Sequence, residues 1–186
     1  MNLPNALTLS RIILAGVLVF LLEQRTTTCN ILAIVVFTIA SLTDFYDGHL
    51  AKTRGLVSNF GKIMDPVSDK ILLLSVFGVL AHLGFIAWWM FIVIAVREVL
   101  VTIWRLWAMG QGRILAAERV GKIKTVVQIV AVSVLLLYCL ANGAAQGSSW
   151  FMSCQGLWVK FNTLLMVAAV ILTVYSGMDY LRKDVK

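Results

Sequence analysis

The sequence predicts an all-α fold: a polytopic membrane protein of six transmembrane helices with both termini cytoplasmic. Three observations predict it. Of 186 residues, 60% are hydrophobic and 13% are charged, against roughly 25% charged in soluble domains. The apolar residues gather into runs close to the ~20 residues that a spanning helix needs. The basic residues fall between those runs with a strong bias to one side.

The runs are centred on 12–22, 31–43, 71–83, 85–104, 125–142 and 161–178. The third and fourth are nearly continuous, since no charge lies between Ile71 and Val96. Gly84 supplies a break there, and His82 and the Trp88–Trp89 pair suit a membrane interface. Charge decides between one helix and two. With six helices, one face receives Arg11, Lys52, Arg54, Lys62, Lys70, Arg97, Arg105, Arg113, Arg119, Lys122, Lys124, Arg182, Lys183 and Lys186. The other receives only Arg25 and Lys160. Positive charge stays cytoplasmic, so six helices are expected, in the cytoplasmic membrane. One domain over 1–186 is expected, because no long polar stretch exists. The first residues do not resemble a cleavable signal, with no Lys or Arg before Arg11.

The net charge of +7 would suggest nucleic acid in a soluble protein. Here it sets topology and attracts anionic phosphates, and no nucleic-acid partner is expected. Cys29, Cys139 and Cys154 lack metal-ligand spacing, and packing is their simplest role.

Chemistry concentrates in four aspartates. The chain has nine acidic residues, and Asp44, Asp47, Asp65 and Asp69 fall close together beside apolar runs. A carboxylate next to lipid is costly and rare unless it works. Asp44 and Asp47 are three apart, Asp65 and Asp69 four apart, so on helices each pair shares a face. Pro66 after Asp65 suits a helix N-cap and first turn. The segment 48–64, with Gly48, Gly55 and Gly61, is expected to turn the chain back so that the pairs face each other. Hard oxygen ligands in this number suit Mg²⁺ or Mn²⁺, in a two-metal site that clamps a phosphoryl group. The bland alternative is a set of snorkelling or salt-bridged surface acids, which fits one Asp better than four.

The spacing D-x2-D-G-x2-A-R-x8-G-x3-D-x3-D is the signature of the CDP-alcohol phosphotransferase family. This chain resembles it at Asp44, Asp47, Gly48, Ala51, Gly61, Asp65 and Asp69. Lys52 stands where the family has Arg. It keeps the charge but loses the bidentate fork, with Arg54 two residues on. The resemblance implies an enzyme that cleaves a CDP-linked lipid such as CDP-diacylglycerol: a hydroxyl attacks the lipid-bearing phosphorus and CMP leaves. It implies Asp44, Asp47, Asp65 and Asp69 as metal ligands, with Asp69 also the base. It implies that Gly48, Ala51, Lys52 and Gly61 line the nucleotide, the glycines allowing close backbone approach. His49, in the same segment, is better read as a solvated position than as a phosphate contact. Phe45 and Tyr46 are expected to pack at the interface.

The acceptor must be held elsewhere. Arg97 and Glu98 lie inside an apolar run, where an arginine marks a pathway or paired site, and Arg105 follows two turns later. Arg119, Gly121, Lys122, Lys124 and Thr125 open the fifth helix. Arg97, Arg105, Arg119, Lys122 and Lys124 are expected to form a basic pocket for a phosphate monoester. Topology-setting charge is the alternative for the 119–124 cluster. Within the family, three stretches are similar to members whose acceptor is glycerol 3-phosphate. They are Asn2-Leu3-Pro4-Asn5-Ala6-Leu7-Thr8 with Arg11, Arg97-Glu98 with Arg105, and Gly121-Lys122-Ile123-Lys124-Thr125. Thr8 and Arg11 would support the site. Members that use phosphatidylglycerol begin similarly, and inositol phosphate stays open as acceptor. A rival of another class is a divalent-cation transporter, which needs carboxylates at mid-membrane and leaves the glycine spacing without purpose. A non-catalytic lipid-binding scaffold leaves the Asp set unexplained. Small, polar and glycine positions on the fifth and sixth helices would serve a homodimer, though no decisive motif marks one.

Overall fold

The computed structural model describes residues 3–54, 59–111, 119–144 and 149–184, with side chains for 9–43, 67, 68, 70–111, 121–144 and 151–180. It is all-helical among the described residues: α1 Leu3–Glu23, α2 Thr27–Arg54, α3 Asn59–His82, α4 Trp88–Gly110, α5 Arg119–Ala144 and α6 Ser149–Asp184. The chain divides into two compact units, Met1–Val79 and Leu80–Lys186.

In the first unit α1 packs on α2. Arg11, Ala15, Leu18 and Leu22 are buried along one stripe of α1, and Asn30, Ala33, Phe37 and Ala40 along one of α2. Both stripes follow the helical repeat. The opposite faces carry exposed Ile13, Val17 and Phe20, and Ile31, Val35, Ile39 and Leu42. The connection is tight. Arg25 takes a left-handed φ of 52°, and Thr26 caps α2 by accepting the Cys29 amide at 3.2 Å.

In the second unit α6 packs on both α4 and α5. Its buried stripe runs Asn162, Met166, Ala169, Thr173, Ser176, Tyr180. Large apolar residues face outward on all three helices, among them Leu100, Ile103, Val126, Leu137, Leu164 and Ile171. Exposed apolar faces this long call for a lipid environment. Gly121–Ala144 and Phe151–Tyr180 are long and apolar enough to cross a membrane, and Thr27–Thr43 and Lys70–His82 are shorter apolar stretches.

The 71–104 stretch is two helices. α3 closes in a Schellman turn: Phe85 N–H donates to Leu80 O at 2.9 Å and Gly84 N–H to Ala81 O at 3.1 Å. Gly84 holds φ +80°, a conformation that favours glycine. His82, Trp88 and Trp89 flank the turn and are exposed. At the same end of the unit Tyr138 stacks with Phe151 and Trp158 and meets Phe85 edge-on. All three cysteines are free.

One local expectation is narrowed and another corrected. Within 48–64 helix occupies all but 55–58, since α2 continues to Arg54 and α3 begins at Asn59. Gly48, His49 and Gly61 therefore sit on helical backbone, and of the three glycines only Gly55 falls in 55–58, outside the described residues. Asp65 is not an N-cap, since α3 starts six residues earlier and Pro66 lies within it. Extending a helix already nucleated by a long apolar segment adds one hydrogen bond per residue, which outweighs a glycine's ~1 kcal/mol penalty. Pro66 leaves the Lys62 carbonyl without its usual i+4 donor.

Candidate active site

Helical backbone carries all four aspartates, Asp44 and Asp47 on α2, Asp65 and Asp69 on α3. In the sequence the apolar run carried by α2 gives way to Asp44 and Asp47, and Asp65 and Asp69 precede the apolar run carried by α3. Both pairs thus stand at the ends of apolar segments that lead into one short connection. The side chains of Asp44, Asp47, Gly48, Ala51, Lys52, Gly61, Asp65 and Asp69 lie outside the described residues, as do those of Thr8, Phe45, Tyr46 and His49. Among the described residues no group of three or more His, Cys, Asp or Glu could hold a metal.

A hydrogen bond from α1 reaches this end of the first unit. Arg11 Nη1 donates to Ser68 Oγ at 3.4 Å, linking α1 to the residue before Asp69. Arg11 is 5% exposed and Ser68 fully buried.

The second unit holds a buried polar network at the end away from its aromatic cluster. Glu98 of α4 is its centre. Its Oε1 accepts from Lys124 Nζ on α5, from Arg97 Nη1 at 3.3 Å and from Gln128 Nε2 at 3.4 Å. Glu98 is 3% exposed and Lys124 2%. Charges this deep persist when paired and hydrogen-bonded. Gln128 Nε2 also donates to Thr173 Oγ1 of α6 at 3.1 Å, whose hydroxyl donates to the Ala169 carbonyl. Arg97 Nη2 donates to Ser176 Oγ at 2.9 Å. The three helices are thereby tied by one carboxylate and its donors.

Arg105 lies two turns beyond Arg97, and its guanidinium covers the Tyr180 ring at 5.9 Å. Arg97 is within electrostatic reach of both Arg105 and Tyr180. Of the five cations expected in an acceptor pocket, Arg97 and Lys124 meet at Glu98, and Arg105 lies within electrostatic reach of Arg97. Lys122 is exposed on α5, and Arg119 is the first residue of that helix, its side chain outside the described residues. Sequence reasoning grouped Glu98 with Arg97 and Arg105 without giving it a role, and missed Gln128, Thr173, Ser176, Gly177 and Tyr180. A signal existed: Thr173, Ser176 and Tyr180 repeat at helical spacing on one face of an apolar helix, as residues that bridge membrane helices do.

Comparison with known proteins adds to this geometry. Residues 1–175 match the family model described as CDP-alcohol phosphatidyltransferase. The CDP-diacylglycerol–glycerol-3-phosphate 3-phosphatidyltransferase of Bacillus subtilis (strain 168) is 36% identical, covering 98% of this chain and 95% of that protein. A protein of Mycobacterium tuberculosis (strain ATCC 25618 / H37Rv), named a probable phosphatidylglycerophosphate synthase, is 32% identical over 100% of this chain and 82% of its own. The CDP-diacylglycerol–glycerol-3-phosphate 3-phosphatidyltransferase of Escherichia coli (strain K12) is 30% identical, covering 97% and 93%.

Proposed function

The chain belongs to the CDP-alcohol phosphatidyltransferase family, and from that premise we propose that it transfers a phosphatidyl group from CDP-diacylglycerol to sn-glycerol 3-phosphate. The products are phosphatidylglycerophosphate and CMP. The observation that carries this reading is similarity over nearly the whole chain to proteins named for that reaction. The network on α4, α5 and α6 supports a phosphorylated acceptor. Arg97 and Lys124 are cations that meet at Glu98, and Arg105 lies two turns on along α4. Cations gathered in this way suit a phosphate monoester, which carries about −1.5 to −2 charge at pH 7. Arg119 and Lys122 belong to the same pocket in this reading.

In the reaction a hydroxyl oxygen of the acceptor bonds to the lipid-bearing phosphorus. The bond from that phosphorus to the CMP oxygen breaks, and CMP leaves with the electron pair. Asp69 takes the hydroxyl proton. Gly48, Ala51, Lys52 and Gly61 receive the nucleotide and its phosphates, and Thr8 and Arg11 support the carboxylate end. The donor set fits Mg²⁺ or Mn²⁺: hard carboxylate oxygens carried on helical backbone where apolar segments end. When bound to Asp44, Asp47, Asp65 and Asp69, such ions would supply positive charge to the pyrophosphate and the departing CMP.

The membrane arrangement belongs to the same proposal: six spans, both termini cytoplasmic, and the active site facing the cytoplasm of the inner membrane. Asp44 follows directly on the apolar run of α2 in the sequence, which suits a place near the edge of the hydrocarbon core. On α4, exposed Trp88 and Trp107 stand ~28 Å apart along the axis, as an aromatic belt at each interface would. A homodimer also belongs to this reading, through small positions such as Gly156, where no atom lies within 4 Å of a Cβ position.

An acceptor panel tests the reaction. Purified protein receives CDP-diacylglycerol, Mg²⁺ or Mn²⁺, and one of glycerol 3-phosphate, inositol phosphate, serine or phosphatidylglycerol. CMP release is expected with glycerol 3-phosphate. Preference for another acceptor would overturn the named product.

A further inference from the structure

The unexplained feature of the second unit is a set of buried polar atoms with no protein partner. Tyr180 is 8% exposed, yet its hydroxyl makes no hydrogen bond. The same holds for Nε of Arg97 and Nε of Arg105. Buried polar groups are satisfied in the great majority of cases, and each exception calls for an explanation. All three side chains belong to one cluster. Arg105 covers the Tyr180 ring, and Arg97 lies within electrostatic reach of both.

The α6 side of this cluster is built for Arg97. Ser176 takes its Nη2 at 2.9 Å and Glu98 its Nη1, so Nε is the guanidinium nitrogen without a partner. Gly177 makes the room: a Cβ there would stand 3.2 Å from both Cγ and Nε of Arg97, tighter than side chains normally approach. An alanine would push the guanidinium off its present line.

We propose that the Ser176–Gly177–Tyr180 face of α6 completes the acceptor pocket, with the Tyr180 hydroxyl donating to a phosphate-monoester oxygen beside Arg105 and Arg97. The inference rests on the reading of glycerol 3-phosphate as acceptor and adds residues that the Asp signature and the basic motifs do not contain. Tyr180 is a specificity-determining residue: its hydroxyl and the two Nε donors match the acceptor's phosphate and find no such partner in a plain alcohol. Ser176 and Gly177 are positioning residues that act through Arg97.

Tyr180→Phe is the direct test, because it removes only the hydroxyl and keeps the ring under Arg105. A hydrogen bond to a charged group is lost, so KM for glycerol 3-phosphate should rise about tenfold. KM for CDP-diacylglycerol should stay within about twofold, which a loosened fold would not allow. A second measurement needs no turnover. Glycerol 3-phosphate should protect wild-type protein against thermal unfolding, and Tyr180→Phe should need about ten times more ligand for the same protection. Ser176→Ala should shift both readouts in the same direction. If wild type fails to transfer to glycerol 3-phosphate, the acceptor reading falls and takes this inference with it. If wild type transfers but Tyr180→Phe matches it, or raises both KM values alike, the α6 assignment alone is wrong.

Discussion

Glu98 and Lys124, 26 residues apart in the chain, form an ion pair between α4 and α5 with both side chains almost fully buried. Glu98 is also held by Arg97 and Gln128. Removing one partner of a buried pair typically costs about 3–5 kcal/mol, because it leaves a buried charge with less compensation.

Their coupling is therefore measurable. Glu98→Ala and Lys124→Ala should each lower thermal stability in detergent. The double variant should be less damaged than the sum of the two, by roughly 1–3 kcal/mol. Strict additivity in the unfolding midpoints would show that the pair does not hold α4 to α5.

This pair also marks the limit of what the sequence shows. Arg97 and Lys124 stand out as cations in apolar surroundings, and an arginine inside an apolar run already implies a partner. That the partner of Lys124 is Glu98 is a tertiary fact, and no local spacing encodes it. Thr173, Ser176 and Tyr180 are unremarkable singly in a membrane helix and informative only once their shared buried face is known. The break at Gly84 was legible because a left-handed turn favours glycine. Gly48, Gly61 and Pro66 misled for the same reason: read as punctuation, they lie inside helices that adjoining apolar segments extend. The Asp spacing was fully visible, since it is a matter of residue type and interval.

The carboxylate set predicts a metal requirement. Activity should need Mg²⁺ or Mn²⁺ and vanish in EDTA. Asp44→Asn, Asp47→Asn and Asp65→Asn should each lose nearly all turnover, since each removes a hard anionic ligand. Full activity in chelator would end the two-metal reading.

Asp69 carries two roles in the proposal, ligand and base. Asp69→Asn should abolish CMP release while CDP-diacylglycerol still binds, measured by its protection of the variant against thermal unfolding. Lost protection with residual chemistry intact would leave Asp69 as a ligand only.

Topology follows from the charge bias. In a background lacking Cys29, Cys139 and Cys154, cysteines placed at Gly55 and Gln111 should react with a membrane-impermeant reagent from the cytoplasmic side. One placed at Gly147 should react from the other. Labelling of position 111 from outside would contradict the six-span arrangement, in which the turn at Gly84 returns α4 to the cytoplasm.

The acceptor can be separated from the lipid donor at Arg105. Its guanidinium is held over Tyr180 rather than in an ion pair among the described residues, so it is placed to meet an external anion. Arg105→Ala removes a charge-assisted contact of the kind arginine makes to phosphate. KM for glycerol 3-phosphate should rise at least tenfold, and KM for CDP-diacylglycerol should change little. A contact equal in ground and transition states shows in KM alone, whereas one that tightens as the phosphorus is attacked also lowers kcat. Arg105→Lys should recover only part of the loss, because the charge returns without the planar fork. Plain glycerol should serve wild type poorly, since it leaves the cationic cluster without an anion. Equal use of glycerol and its phosphate, or selective loss of donor binding in Arg105→Ala, would place the acceptor elsewhere while leaving the carboxylate chemistry untouched.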